Sequence, residues 1–271
     1  MIKLSYLSVI RFSGVDAGSF LHSQLSADVL GLASGDSSFA CYCEPKGRVL
    51  SLMLVYRDDD SYFIIMSARL VSAVTDRLKI YVMRSKVRID ILSDYSVLGK
   101  PANDDQLPAK DSGRVIELPG KHQCLVVTPS DNSGEADAPS QAEWRVSELQ
   151  NGISWLSPET SGQFLPQMLG YEELGAVNYR KGCYPGQEIV ARTHYLGKVK
   201  RHPRLLVCQL PVCPNPMDKV ELISDTQTFD AVVADCESSA DGMICLLLVT
   251  RMAPDLPVQQ INYLENSSEI Y

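Results

Sequence analysis

The sequence lacks most features of secreted, membrane-spanning or metal-binding proteins. Among its 271 residues, the longest apolar stretch runs only from Met243 to Val249, which is far too short to span a bilayer. The N-terminal segment has neither a basic region nor a sustained apolar region, so no signal peptide is predicted. The eight cysteines contain no CxxC pair, and the four histidines form no HExxH pattern. We therefore predict a cytoplasmic protein that holds no metal of its own.

The charge of the chain is negative overall but basic in one segment. The formal net charge is −8, which argues against nucleic-acid binding by the surface as a whole. Residues 180–204 nevertheless contain seven basic residues and one acid, about +6, so the remainder carries about −14. One interpretation of this segment is a solvated strand-and-loop face, and the other is a site for an anionic ligand.

The hydrophobic pattern of the N-terminal half predicts an α+β unit with a mostly antiparallel sheet. Asp16 is expected to cap a short helix, and residues 68–83 have the apolar spacing of an amphipathic helix. Further strands are expected at 49–55, 62–66, 87–91, 114–118 and 124–128. Two segments without periodicity, 101–113 and 129–142, are predicted to be loops.

The C-terminal half begins with a predicted helix from Trp144 to Gln150, which Gly152 ends. From Arg204 onward, the sequence predicts strands only. These strands are expected at 204–210, 219–224, 228–235, 243–250 and 261–264. Such short strands separated by turns predict a small β-barrel.

The most distinctive segment is Lys181 to Glu188, with the sequence Lys-Gly-Cys-Tyr-Pro-Gly-Gln-Glu. Pro185 and Gly186 stand at the two central positions of a predicted type II turn. Gly182 frees the backbone on the other side of Cys183. The cysteine is therefore expected to lie on a constrained loop.

The residues around Cys183 indicate a reactive thiol. Arg180 and Lys181 precede it closely, and nearby cations favour the thiolate, which is the form that attacks electrophiles or binds metal. The alternative interpretation is a small buried cysteine that serves only packing.

The stretch Lys181–Glu188 resembles the signature K-G-C-Y-x-G-Q-E of the YgfZ family, folate-binding proteins related to the glycine-cleavage T-protein. Three other blocks resemble family segments in the same order and spacing, namely Gly14–Val29, Cys41–Val55 and Ser161–Met168. The resemblance, to which these blocks contribute in order, extends along nearly all of residues 5–205.

The resemblance implies a three-lobed, T-protein-like cloverleaf with antiparallel sheets and a C-terminal β-barrel. The expected lobes are a folate-binding core of 1–45 with 143–197, a second α+β lobe of 46–142, and the barrel of 198–271. It implies tetrahydrofolate or a derivative as cofactor. It also implies a role in iron–sulfur cluster assembly or repair, which supports cluster-dependent enzymes including those of tRNA modification. The expected protein partners are iron–sulfur proteins or their assembly factors.

The resemblance also assigns roles to particular residues. The implied catalytic residues are Cys183 and Lys181. The implied folate-binding residues are Trp144, Gln150 and Gln24. The other signature-loop residues are Gly182, Tyr184, Gly186, Gln187 and Glu188. A basic rim for the folate carboxylates is expected at Arg180, Arg192 and Lys198. Trp144 is expected to line a central cavity and stack on a pterin ring, and its alternative role is that of a core tryptophan.

Three departures from the pattern bear on function. The acidic pair of the T-protein falls at Leu50 and Ser51, so aminomethyl transfer lacks its carboxylate. A folate-contacting glutamate corresponds to Gln150, which keeps hydrogen-bonding groups but loses the charge. The pair His22-Ser23 replaces the usual Gln-Gly.

The alternatives to a folate-linked maintenance factor are a tetrahydrofolate-dependent aminomethyltransferase and a non-catalytic docking scaffold for iron–sulfur proteins. The loss of the acidic pair disfavours the aminomethyltransferase. A cysteine hydrolase is a further alternative, for which the sequence predicts no histidine partner.

Overall fold

The computed structural model describes residues 1–100, 113–118, 123–130, 138–197, 199–225 and 227–263, without the side chains of 138–140. The α-helices in this part of the chain are α1 (Ala17–Gln24), α2 (Val71–Val82), α3 (Ala138–Gln150) and α4 (Gln187–Tyr195). The first nine strands are β1 (Ile2–Lys3), β2 (Leu7–Ser13), β3 (Ser37–Cys43), β4 (Val49–Asp58), β5 (Ser61–Ser67), β6 (Arg88–Ile91), β7 (Tyr95–Lys100), β8 (Arg114–Glu117) and β9 (Cys124–Pro129). The last five are β10 (His202–Cys208), β11 (Lys219–Ile223), β12 (Thr228–Ser238), β13 (Ile244–Thr250) and β14 (Gln260–Tyr263).

The strands form three antiparallel sheets. The first has the order β3-β4-β5-β2-β6, and the second has the order β1-β7-β9-β8. The predicted lobe boundary between residues 45 and 46 falls between β3 and β4, which pair from Ser37–Tyr56 to Cys43–Val49. Strands on the two sides of this predicted boundary therefore belong to one sheet. The division into lobes stays a prediction.

The third sheet corresponds to the predicted C-terminal barrel. Its five strands have the order β10-β13-β12-β11-β14. Within 199–225 and 227–263, no strand pairing joins β10 to β14, so the described sheet is open. The mixture of helices and antiparallel sheets confirms the predicted α+β class.

The hydrophobic core is continuous across the sheets. One cluster joins buried side chains of the first and second sheets with α3, and it includes Ala234, Leu247 and Val249 from one face of the third sheet. The other face of the third sheet packs into a smaller cluster around Leu222, Leu246 and Leu248. The third sheet is thus buried on both faces, and one face is joined to the main core.

The helices differ in several details from what the sequence predicted. The carboxylate of Asp16 precedes α1 but accepts the Lys86 N–H at 2.7 Å, and it makes no capping bond to α1. Helix α3 begins at Ala138 and so occupies the end of the predicted loop 129–142. Helix α4 lies where a strand-and-loop face was expected. No helix in the described part of the chain is long and apolar enough to cross a membrane.

A disulfide joins Cys213 to Cys236 beside the third sheet, although the cysteine spacing predicted no disulfide framework. The two cysteines lie 23 positions apart and belong to no recognisable spacing pattern, so local sequence did not indicate the bond. The predicted loop 101–113 lies outside the described residues except for its last position.

Candidate functional site

The loop Lys181–Glu188, called the signature loop below, packs closely on the turn between β3 and β4. Gly186 has φ +83° and ψ −1°, as position three of the predicted type II turn requires. A methyl group on Gly186 would lie 2.5 Å from the Glu44 carbonyl oxygen and 2.6 Å from Gly47 Cα. Only glycine fits this contact, because both the backbone angle and the neighbouring backbone exclude a side chain.

Lys181 ties the same loop to the C-terminal end of α1. Its Nζ donates hydrogen bonds to the carbonyl oxygens of His22 and, at 2.6 Å, Leu25. These carbonyls belong to the end of a helix, where a cation is favourable. Burial lowers the pKa of Lys181 to about 8, although the nearby Asp28 and Cys183 act in the opposite direction. The ammonium therefore has a fixed position and lies within electrostatic range of Cys183.

The start of the signature loop is fixed through its backbone. The Asn178 Oδ1 accepts hydrogen bonds from the N–H groups of Arg180 at 2.8 Å and Lys181 at 3.1 Å. The Asn178 N–H in turn donates to the Ser26 carbonyl at 2.9 Å, just beyond α1. Gln187 reaches back from α4, and its Nε2 lies 3.4 Å from the Lys181 carbonyl oxygen. Both ends of the loop are thus held.

Tyr184 and Cys183 point to opposite environments. Tyr184 is buried, and burial raises its pKa, with smaller effects from Cys43 and Cys41 beneath the loop. The Lys181 Nζ lies 5.2 Å from the centre of the Tyr184 ring. All eight cysteines lie in the described residues, and of the six that are free only Cys183 is exposed. The loop thus buries its tyrosine and presents its thiol to solvent.

His22 is a neighbour of the signature loop that the sequence did not identify. A methyl group on Gly182 would lie 3.9 Å from the His22 Nε2, so this nitrogen faces the loop. The other nitrogen, Nδ1, lies 3.3 Å from the Asp28 Oδ1. Burial lowers the pKa of His22, and the Lys181 ammonium lowers it further. The structure thus places one histidine beside the signature loop, although the sequence predicted no histidine partner for Cys183.

The predicted folate-binding residues lie in different surroundings, and only Gln150 lines one of the four cavities described here. Trp144 is 3% exposed, and its ring covers Gly99, where a methyl group would lie 2.7 Å from the indole. It lines none of the four cavities described here, and its burial against Gly99 matches the alternative role of a core tryptophan, while the folate contact stays a prediction. Gln24 is 8% exposed, and its Nε2 lies 3.3 Å from the Ser23 Oγ. Gln150, by contrast, lines an open cleft.

That cleft lies between the C-terminal end of α3 and β10, with a volume of about 440 Å³. Apolar walls come from residues such as Leu149, Leu169 and Leu205. Hydrogen-bond acceptors come from Gln150 and from the carboxylate of Glu173. A mostly apolar cleft of this size with a few polar groups is typical of small-molecule sites.

The predicted basic rim is only partly described. Arg180 and Arg192 are exposed, and Lys198 lies outside the described residues. The Arg192 Nη2 forms an ion pair with the Glu188 Oε1 at 2.5 Å, one turn earlier on α4. Because both side chains are exposed, this pair contributes little to stability and leaves the arginine free to exchange partners.

The positions of the missing acidic pair lie in β4. Leu50 is half-buried, and a methyl group on Gly162 would contact it at 3.7 Å. Ser51 is buried, and its Oγ lies 3.0 Å from the Leu52 carbonyl oxygen. These two positions therefore supply packing and one neutral hydroxyl, with no carboxylate.

Several known proteins have a similar sequence along most of the chain. A tRNA-modifying protein YgfZ from Klebsiella pneumoniae (strain 342) is 29% identical, covering 94% of this chain and 86% of its own length. A protein of the same name from Colwellia psychrerythraea is 25% identical, covering 96% and 88%. An uncharacterized protein of Haemophilus influenzae is 30% identical, covering 74% and 70%. The chain belongs to the YgfZ family.

A solved structure agrees with the fold that the YgfZ resemblance implied. The aminomethyltransferase T of the glycine cleavage system from Bartonella henselae matches with a TM-score of 0.67, covering 92% of this chain and 77% of that chain. At 14% sequence identity this likeness shows the fold alone, which is T-protein-like. No family model matches the sequence.

Proposed function

We propose that this YgfZ-family protein binds a reduced folate and supports iron–sulfur cluster assembly or repair in the cytoplasm, using the thiol of Cys183. The protein would thereby support enzymes that depend on such clusters, including those of tRNA modification. The observation that carries the proposal is the exposed Cys183 on a loop whose other contacts hold it rigidly. A structural cysteine would not need this exposure.

The chemistry of the proposed site follows from its charges. The ammonium of Lys181 lies within electrostatic range of Cys183 and would stabilise negative charge that develops on its sulfur. A thiolate at the surface can attack an electrophile or bind the iron of a partner's cluster. Because Lys181 is held by two backbone carbonyls, the charge stays beside the thiol without a large entropic cost. Lys181 thus has a positioning role as well as an electrostatic one.

The proposed folate site is the cleft that Gln150 lines. A pterin carries N–H donors that suit the amide oxygen of Gln150 and the carboxylate of Glu173. Its fused rings suit the apolar walls of the cleft. The basic residues Arg180 and Arg192 would attract the glutamate carboxylates of a folate, and this attraction would weaken with salt.

Folate binding is tested by thermal stabilisation of the full-length protein with tetrahydrofolate. Ligand at 100 times its Kd should stabilise the native state by about 2.7 kcal/mol. Leu205→Trp would fill the cleft from its 38% exposed position on β10 and should abolish the effect. Val207→Trp, two residues further and 50% exposed, does not touch the cleft and is the matched control. Equal stabilisation of both variants would place the folate elsewhere.

The role of Cys183 is tested in cells that lack the protein. Cys183→Ser should fold normally, since one oxygen-for-sulfur change at an exposed position costs little stability. It should nevertheless fail to restore the activity of iron–sulfur enzymes. Full restoration by the serine variant would favour the docking scaffold over a chemical role.

A further inference from the structure

A cavity of about 580 Å³ lies at the start of α1, and it shares no lining residue with the proposed folate cleft. Its walls come mainly from the turn before α1, the first turn of α1 and the β4–β5 hairpin. The volume is in the range of small-molecule sites, and the proposed function makes no use of it. The groups that these walls bring together therefore indicate what the cavity holds.

The N-terminal end of α1 has no side-chain cap. Asp16 stands at the capping position, but its carboxylate accepts the Lys86 N–H at 2.7 Å and makes no hydrogen bond to the helix. Gly18 and Ser19 line the cavity, and their N–H groups have no hydrogen-bond acceptor among the residues that the structure describes. Unpaired N–H groups at the positive end of a helix dipole attract anions such as phosphate.

Tyr62 brings an unpaired hydroxyl to the same end of the helix. The residue is only 6% exposed and lines the cavity, and its hydroxyl has no hydrogen-bond partner in the described part of the chain. A methyl group on Gly18 would lie 2.6 Å from the Tyr62 Oη, so the hydroxyl lies directly against the first turn of α1. A ligand oxygen at this place would accept the hydroxyl proton, which no protein group now does.

Arg57 adds a positive side chain to the cavity wall. Its Nη1 donates to the Leu32 carbonyl oxygen at 2.6 Å and its Nε to the Asp59 carbonyl oxygen at 3.2 Å, so two backbone oxygens fix the guanidinium. Its carbon Cζ lies 5.9 Å from the centre of the Tyr62 ring. Within the described ranges, the Arg57 Nη2 makes no hydrogen bond and the guanidinium forms no ion pair. The carboxylates of Asp59 and Asp60 also line the cavity, but both residues are exposed, so water weakens their repulsion of an anion.

We propose that this cavity binds a small phosphate ester, with the phosphoryl group at the start of α1. The donors are the N–H groups of Gly18 and Ser19, the hydroxyl of Tyr62 and the guanidinium of Arg57. Because they come from three elements, they suit the three terminal oxygens of a phosphoryl group better than the two oxygens of a carboxylate. The site goes beyond the proposed function and does not depend on it.

The remaining side chains of the wall indicate what the phosphoryl group is attached to. Asp59 and Asp60 present acceptors that suit hydroxyl groups of a ligand. Val15 and Leu30 are 84% and 53% exposed, and they suit its apolar atoms. A phosphorylated sugar meets both requirements.

The test is isothermal titration calorimetry of the full chain with ribose 5-phosphate, at neutral pH and fixed ionic strength. The wild type should bind ribose 5-phosphate, and ribose without the phosphate should bind about tenfold more weakly or worse. Tyr62→Phe removes only the unpaired hydroxyl, and it should weaken the binding of ribose 5-phosphate by about tenfold, as expected for a hydrogen bond to a charged group. Arg57→Gln removes the positive charge and should weaken binding by about tenfold or more. Inorganic phosphate, the second probe, should compete with ribose 5-phosphate.

Tyr56→Phe is the matched control. Tyr56 belongs to the same hairpin, and its ring packs against Phe63 with 6.5 Å between the ring centres. It lines none of the four cavities described here, so its loss should leave the affinity unchanged. Leu205→Trp, which fills the proposed folate cleft, should leave it unchanged as well.

Three results would overturn the proposal. The first is the absence of binding when the wild type is titrated with either probe at millimolar concentration. The second is equal affinity of the wild type, Tyr62→Phe and Arg57→Gln, with folding of the variants checked by circular dichroism. The third is ribose that binds as tightly as ribose 5-phosphate. If ribose 5-phosphate bound as expected while tetrahydrofolate failed to stabilise the protein, the folate proposal would be wrong and the phosphate site would stand.

Discussion

The contact between Gly186 and the β3–β4 turn allows a quantitative test of how the signature loop is anchored. Gly186→Ala places a methyl group 2.5 Å from the Glu44 carbonyl oxygen and 2.6 Å from Gly47 Cα. These are backbone atoms, so no side chain can rotate away to make room. The loop or the turn would have to shift.

The expected loss of folding stability in Gly186→Ala has two separable parts. An L-residue in the left-handed region costs about 1–2 kcal/mol relative to glycine. Inserting a methyl group into close-packed structure costs about another 1–3 kcal/mol. Gly175 separates these parts, because it has φ +76° but a methyl group there would meet nothing within 4 Å. Gly175→Ala should therefore be destabilised only by the backbone cost, and Gly186→Ala by both costs.

The measurement is the free energy of unfolding from urea titration of the two variants and the wild type. Gly186→Ala should be less stable than Gly175→Ala by about 1–3 kcal/mol. The same samples report on the loop, since Cys183 alkylation should change only in Gly186→Ala. Equal losses in the two variants would show that the loop is not anchored by this contact, and the reasoning about its rigidity would fail.

Three further predictions concern other parts of the molecule. Arg145→Met leaves the buried Glu148 carboxylate, now 3.7 Å from the Arg145 Nη1, without its cation and should cost about 3–5 kcal/mol by urea titration. Lys181→Met removes a lysine whose folded-state pKa of about 8 lies below its value in the unfolded chain. The unfolded wild type therefore binds more protons between about pH 8 and 10.4, so its stability relative to Lys181→Met should rise through that window in melts at several pH values. Gly99→Ala puts a methyl group 2.7 Å from the Trp144 ring and should lower stability by about 1–3 kcal/mol, with a change in tryptophan fluorescence.

The sequence predicted most accurately what depends on local backbone preference. The type II turn at Pro185-Gly186 is an example, because proline fixes one backbone angle and glycine permits the other. The strands Val49–Asp58 and Ser61–Ser67 were also predictable, since an apolar run, an acidic turn and a second run define a hairpin. The resemblance then supplied the order of the blocks, from which the T-protein-like fold followed.

Other features could not be read from local patterns. Helix α4 buries only Val190, so it has no apolar stripe from which a periodicity could be recognised. Trp144 had two equal interpretations from sequence, and its contact with Gly99, on a strand 45 positions away, could not be foreseen from local pattern. His22 was overlooked for the same reason, because its link to Lys181 spans 159 positions.

The contacts of the signature loop explain why its chemistry depends on residues so far away. Lys181 binds the end of α1, Gly186 packs on the β3–β4 turn, and Tyr184 is buried above Cys41 and Cys43 on β3. Each anchor restricts the backbone on one side of Cys183, while the thiol itself remains exposed.

A group held in this way loses little conformational entropy when a partner or substrate binds it. The same anchors also fix the distance between the thiol and the Lys181 ammonium, which a mobile loop could not do. Holding a loop rigid costs conformational entropy. An exposed cysteine does not offset this cost, because its side chain buries no apolar surface. In this loop the buried side chain is Tyr184, and the backbone is held in place by Lys181 and Gly186. The exposed Cys183 is therefore not needed for the stability of the loop.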